Sequence, residues 1–194
     1  MGGVGETENL VDREEDLVLC DVSPDEVSML VHQTRPGTSR DLMILTMGAS
    51  VESTAYRETA ADERCGSFSP DGRWIAYTSN ESGRYEIYVA PFPWTGRRWQ
   101  VSEEGGLFPQ WRSDGREIVY TRQNGELVAA AIEIGTDSLQ PSGTQVLFRI
   151  HPPIPSGASF ALAPDGEKLL VWSNKLRESE TVVNLVVNWP AELD

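Results

Sequence analysis

Carboxylates dominate the chemistry open to this chain. Thirty Asp and Glu stand against sixteen Lys and Arg, with two His and a formal charge of −14. Three acidic runs stand out: Glu14-Glu15-Asp16, Asp62-Glu63 and Glu103-Glu104. Brought to one place, their oxygens suit Ca²⁺ or a basic peptide. The competing reading is solvated charge that keeps strand edges soluble. A second set of carboxylates, Asp25, Asp71, Asp114 and Asp165, sits in short turn motifs. As catalytic groups they would need to converge. As turn residues they need only accept hydrogen bonds from their own backbone, which is what Asp does in such places. Cys20 and Cys65 lack the Cys-x-x-Cys spacing of a zinc site. Buried free thiols are expected, with a disulfide as the alternative. His32 and His151 do not form a ligand pair. No Gly-x-Ser-x-Gly elbow, kinase glycine loop or kinase catalytic loop is present. No cofactor is expected.

The elements that must position these groups repeat. Phe68-Ser69-Pro70-Asp71-Gly72 returns as Trp111-Arg112-Ser113-Asp114-Gly115 and as Leu162-Ala163-Pro164-Asp165-Gly166, and in weaker form as Val22-Ser23-Pro24-Asp25-Glu26. The steps between the aspartates are 46, 43 and 51 residues. Proline presets φ in such a turn, and Gly72, Gly115 and Gly166 accept a positive φ that a side chain resists. Each turn precedes a short run of β-branched and aromatic residues, as in Trp74-Ile75-Ala76-Tyr77-Thr78, and then a second run, as in Tyr85 to Val89. First strands are expected at Leu17–Val22, Arg64–Phe68, Phe108–Arg112 and Ala158–Leu162. Outer strands are expected near Tyr56, Trp99 and Val146. Four strands in a period of forty to fifty residues are the signature of propeller blades, so the expected fold is all-β, with about four blades of four-stranded antiparallel meanders.

The turn Ser69-Pro70-Asp71-Gly72 followed by Arg73-Trp74-Ile75-Ala76-Tyr77, with Glu86-Ile87-Tyr88-Val89 next, resembles the WD-repeat-like units of TolB-type β-propellers. The resemblance runs from about Cys20 to the C-terminus. Val186-Val187-Asn188-Trp189 and Pro190-Ala191-Glu192-Leu193 resemble the closing end of the propeller that follows some bacterial serine/threonine kinase domains. Propellers of this type have six blades, so four turns imply the C-terminal portion of one. The resemblance implies a noncatalytic binding or scaffold module, or the sensor part of a kinase-linked protein. The alternative is a propeller hydrolase or lyase using carboxylates in its channel.

Residues 1–16 are glycine-rich and then acidic, and read as a flexible N-terminal segment. Glu8-Asn9-Leu10-Val11 within it is a candidate closing strand, and residues 17–194 form the partial propeller. In a propeller the connections from outer to inner strands reach one face. Glu14, Glu15, Asp16, Asp62, Glu63, Glu103 and Glu104 are therefore expected around one end of the axis. Pro91-Phe92-Pro93-Trp94-Thr95-Gly96-Arg97-Arg98 is a stiff loop. Its Phe92, Trp94, Arg97 and Arg98 either cap a blade edge or form a contact surface. His151-Pro152-Pro153-Ile154-Pro155 is a second rigid insert, read as a spacer. The negative charge argues against nucleic acid and anionic membranes. No apolar run reaches bilayer length, and no signal peptide is visible. A protein or peptide partner is expected, as is self-association through open blade edges.

Overall fold

The computed structural model describes residues 16–34, 39–136, 138–150, 160–163, 168–174 and 181–187. Among the described residues there is no helix. The described residues form fifteen strands in four separate antiparallel sheets, each a meander in sequence order. The first sheet holds β1 (Leu17–Val22), β2 (Ser28–Thr34), β3 (Arg40–Thr46) and β4 (Glu52–Arg57). The second holds β5 (Glu63–Phe68), β6 (Trp74–Ser79), β7 (Glu86–Pro91) and β8 (Trp99–Gln100). The third holds β9 (Leu107–Trp111), β10 (Glu117–Thr121), β11 (Glu126–Ile134) and β12 (Leu139–Arg149). The fourth has three strands among the described residues: β13 (Phe160–Leu162), β14 (Lys168–Asn174) and β15 (Thr181–Val187).

The repeated turn joins the first and second strands of each sheet, and its atoms explain the motif. Ser69 Oγ donates to Asp71 Oδ1 at 2.6 Å, the Arg73 amide donates to the same oxygen at 3.1 Å, and the Trp74 amide donates to Ser69 Oγ at 3.0 Å. Gly72 closes the turn at φ 70°. The first sheet repeats this arrangement with Ser23, Asp25, Val27 and Ser28. There Glu26 occupies the glycine position at φ 60°, so a side chain is held in the left-handed region. In the third sheet the Arg116 amide donates to Asp114 Oδ1 at 3.0 Å, and Gly115 lies at φ 71°. These three aspartates are therefore turn acceptors. Asp165 and Gly166 lie outside the described residues.

Three apolar layers join consecutive sheets. Leu30, Leu42, Ile44 and Tyr56 of the first sheet meet Phe68, Ile75, Tyr77 and Tyr88 of the second. Trp74, Ile87, Val89 and Val101 then meet Trp111, Ile118, Tyr120 and Val128. Val119, Leu127 and Ala129 meet Phe160, Leu169 and Val171. Because both faces of a middle sheet are covered, β6 and β10 are buried at every residue and show no inside–outside alternation. Val31, Met43 and Leu45, on the first sheet's other face, form a fourth cluster. No hydrophobic cluster among the described residues joins the fourth sheet to the first.

The first strand of each complete sheet is broken by a β-bulge: at Cys20 in β1, at Cys65 and Gly66 in β5, and at Phe108 and Pro109 in β9. Cys65 and Phe108 sit at equivalent places and share a positive φ, 54° and 57°. A bulge bends its strand and re-aims side chains, and here all three bulges border one cavity.

Candidate functional site

The first strands of all four sheets line an open cavity of about 670 Å³, with His32 and Arg40 from β2 and β3. Val18 and Leu19 of β1 line it and are 50% and 59% exposed, more than the other large apolar side chains described. Leu107 and Phe108 of β9 and Leu162 of β13 continue this apolar wall. The polar lining comes from Asp21, His32, Arg40, Arg64, Ser67 and Gln110, with the free thiols of Cys20 and Cys65.

Two of these side chains tie one sheet to the next. Asp21 Oδ2 accepts the Phe68 amide at 2.8 Å, and Gln110 Oε1 accepts the Leu162 amide at 3.0 Å. Gln110 Nε2 also donates to Phe160 O at 3.1 Å. Burial pushes the Asp21 carboxyl above its ordinary pKa, opposed by the amides of Phe68 and Val22. Cys20 Sγ lies 3.4 Å from His32 Nδ1, the nearest approach to a nucleophile–base pair in the cavity. Its electrostatics oppose that role. Burial raises the Cys20 thiol pKa, while burial and the charges of Arg40 and Arg64 lower that of His32. Burial, with Cys20 next to it, pushes the Cys65 thiol up to about 12. Both thiols are held protonated at neutral pH and are poor nucleophiles.

The acidic residues singled out from sequence are not equivalent. Glu14 and Glu15 lie outside the described residues, and Asp16 is exposed. Asp62 is buried. It pairs with Arg40 at 3.2 Å and Arg64 at 3.8 Å and accepts the Tyr85 hydroxyl, while the Arg64 guanidinium lies 4.3 Å from the Tyr85 ring centre. Glu63 is fully buried, accepts Thr59 Oγ1 and lies 3.6 Å from Arg57. Glu103 is exposed and gives its carbonyl to Arg84, whose guanidinium also pairs with buried Glu86. Glu104 pairs with Arg122 at 2.9 Å, which also holds Glu126 at 3.0 Å. The connections between sheets are thus threaded with arginines. Asp62 and Glu63 are occupied internally, and among the described residues no three His, Cys, Asp or Glu side chains come together to hold a metal ion. Sequence shows these charges and the nearby Arg64 but not the other partners, because Arg40, Arg57, Arg84 and Arg122 come from other turns or strands.

Phe92 and Trp94 pack at the seam of the first two sheets. Phe92 meets Phe68 edge-on at 5.2 Å, Trp94 meets Tyr56 edge-on at 5.9 Å, and Arg57 lies 4.7 Å from the Trp94 ring centre. Arg98 pairs with Glu81, and Arg97 is exposed on the same loop. Arg40, Arg64, Ser67 and Gln110 were not anticipated as site residues. The available signal was positional: Ser67 and Gln110 stand four residues before a turn aspartate, as Asp21 does.

No known protein-family model matches the chain, and no curated protein matches it in sequence. Solved structures do resemble it. TolB from Acinetobacter baumannii aligns at TM-score 0.63 and 17% identity, covering 89% of this chain and 41% of that one. The tricorn protease aligns at TM-score 0.56 and 12% identity, over 94% of this chain and 17% of that one. A Mycobacterium tuberculosis puromycin-hydrolyzing peptidase aligns at 0.56 and 19%, over 80% and 28%. The chain thus spans less than half the length of each of these proteins. At such identities the likeness speaks for fold, and with the four meanders it shows that the chain has the fold of a partial, TolB-like β-propeller.

Proposed function

We propose that this chain is a noncatalytic binding module whose ligand, a protein or peptide segment, enters the channel between the first strands. One observation carries the reading: that channel joins exposed apolar side chains, Val18 and Leu19, to cationic and hydrogen-bonding groups in a single cavity. Ligand sites combine a mostly apolar wall with a few placed polar groups in this way. The enzyme alternative finds less support. Asp21 is the cavity's carboxylate, and it is committed to two backbone amides. The Cys20–His32 pair is held neutral. The acidic connections and the loop from Phe92 to Arg98 serve in this reading to order the face around the channel. A kinase-linked sensor role rests on residues 186–193, of which Val186 and Val187 belong to the described strands.

The test is selection of binding peptides from a random displayed library, followed by Leu19→Trp, which fills the channel from an exposed wall position. Affinity is expected to fall at least tenfold or so, the loss from a blocked hot spot. Unchanged affinity places the binding surface elsewhere. Cleavage of the bound peptide, seen by mass spectrometry, favours the enzyme.

A further inference from the structure

Four backbone amides occupy one repeated place, three residues before each turn aspartate: Val22, Phe68, Trp111 and Leu162. In every sheet the next residue's N–H donates across to the second strand: Ser23 to Ser28 O at 2.8 Å, Ser69 to Trp74 O at 2.8 Å, Arg112 to Glu117 O at 2.9 Å, and Ala163 to Lys168 O at 2.9 Å. In an antiparallel ladder that register turns the preceding N–H away from its own sheet. Such an amide needs an acceptor from elsewhere. Val22 donates to Asp21 Oδ1 at 2.8 Å, Phe68 to Asp21 Oδ2 at 2.8 Å, and Leu162 to Gln110 Oε1 at 3.0 Å. In each case the acceptor is a carboxylate or carboxamide oxygen four residues before a turn aspartate.

At the seam between the second and third sheets that place is taken by Ser67. Its hydroxyl stands on Cβ, shorter than the arms of Asp21 and Gln110. Ser67 Oγ is buried without a hydrogen-bond partner, and the pairing of Trp111 with Ile118, next to the Arg112 to Glu117 bond, turns the Trp111 N–H away from its own sheet. Ser67 and Trp111 both line the cavity.

We propose that a ligand carboxylate occupies this gap, accepting from the Trp111 N–H and from Ser67 Oγ as the chain's own side-chain oxygens do at the neighbouring seams. A carboxylate, Asp21, fills this place at the first seam, and Arg64, which lines the same cavity, stands 3.8 Å from Asp62 through its Nε, too far for a hydrogen bond. Leu107 and Phe108 line the adjoining wall, so the ligand carries an apolar group beside its carboxylate. This inference rests on the channel reading and names its ligand class.

Three probes test it by calorimetry: N-acetylleucine, with a terminal carboxylate only; N-acetyl-leucyl-glutamyl amide, with a side-chain carboxylate only; and N-acetyl-leucyl-glutaminyl amide, with none. One carboxylate probe is expected to bind about tenfold or more tighter than the glutaminyl probe, and to move the Trp111 amide proton downfield in NMR spectra. Whichever probe binds distinguishes a chain terminus from an acidic side chain. Ser67→Gln supplies the missing acceptor from within, as Gln110 does. It is expected to raise the melting temperature and weaken that probe roughly tenfold. Arg64→Gln is expected to weaken it comparably. If Ser67→Gln does not fold, Ser67→Ala, which keeps the gap, is expected to weaken it about threefold. Equal binding of all three probes overturns the carboxylate while leaving the channel reading intact. Unchanged binding in both Ser67 variants overturns the site. Failure of every probe, while library-selected peptides still bind and are blocked by Leu19→Trp, overturns this proposal alone.

Discussion

Gly66 lies in the β5 bulge, and a Cβ placed there would come within 2.4 Å of Leu30 Cδ2, 3.3 Å of Ala76 O and 3.4 Å of Ile75 Cγ2. Leu30 is fully buried in the layer joining the first two sheets, so its side chain has little room to yield. Overpacking of this kind costs about 1–3 kcal/mol. Alanine recovers about 0.4–1 kcal/mol by restricting the unfolded chain. Gly66→Ala is therefore expected to destabilise by roughly 1–2 kcal/mol, lowering the melting temperature by about 2–8 °C at this size. Calorimetry or urea denaturation reads it. The diagnostic is the background: with Leu30→Val, which withdraws the offending methyl, the Gly66→Ala penalty should shrink to near zero, a coupling of about 1–2 kcal/mol. An equal penalty in both backgrounds, or no penalty in the wild type, would refute the packing of β5 on β2 that shapes the channel wall.

Three further outcomes are expected. Glu26→Gly should stabilise by up to about 1 kcal/mol by relieving the left-handed side chain, whereas Gly72→Val and Gly115→Val should each cost about 1–3 kcal/mol; melting curves showing the same sign for all three would contradict the turn assignment. Hydrogen bonds from Arg149, Asn124 and Arg122 hold the Glu126 carboxyl down to about 2 from an ordinary 4.5. Since its folded pKa is depressed, its stabilisation is present above about pH 4.5 and lost as pH falls towards 2, so the melting difference between wild type and Glu126→Gln should close over that window; a difference constant from pH 7 to pH 2 would contradict this. With its pKa near 12, Cys65 exposes on the order of one thiolate in ten thousand at pH 8. Ellman's reagent should therefore label native Cys65 slowly and denatured Cys65 at once, and rapid native labelling would overturn its burial.

What could be read from sequence follows from range. The turns at Asp25, Asp71 and Asp114 are local, since each aspartate bonds residues within two or three positions, and their spacing carried the four-meander fold. First-strand positions followed: Leu17–Val22 is β1 as expected, and the others fall within about a residue wherever they are described. The outer strand expected near Val146 is eleven residues long and runs through Pro141 and Gly143, both of which read locally as strand breakers. Pro141 is accommodated on the outermost strand, where a register shift in the pairing with β11 absorbs it. The channel was less legible. Asp62 and Glu63 look like surface charge in sequence, yet burial against arginines from other turns removes them from solvent. Cys65 and Phe108 carry no sequence mark of positive φ. Ser67 becomes informative only beside Asp21 and Gln110, once the register shows what those two side chains hold.

Placing photo-leucine, a diazirine analogue of leucine's own size, at Leu19, on the channel wall, and separately at Val146, on the exposed outer strand, tests the binding reading most directly. Each protein is irradiated with a library-selected peptide. The account predicts a crosslinked adduct from position 19 and none from position 146. Crosslinking from position 146 alone would contradict it.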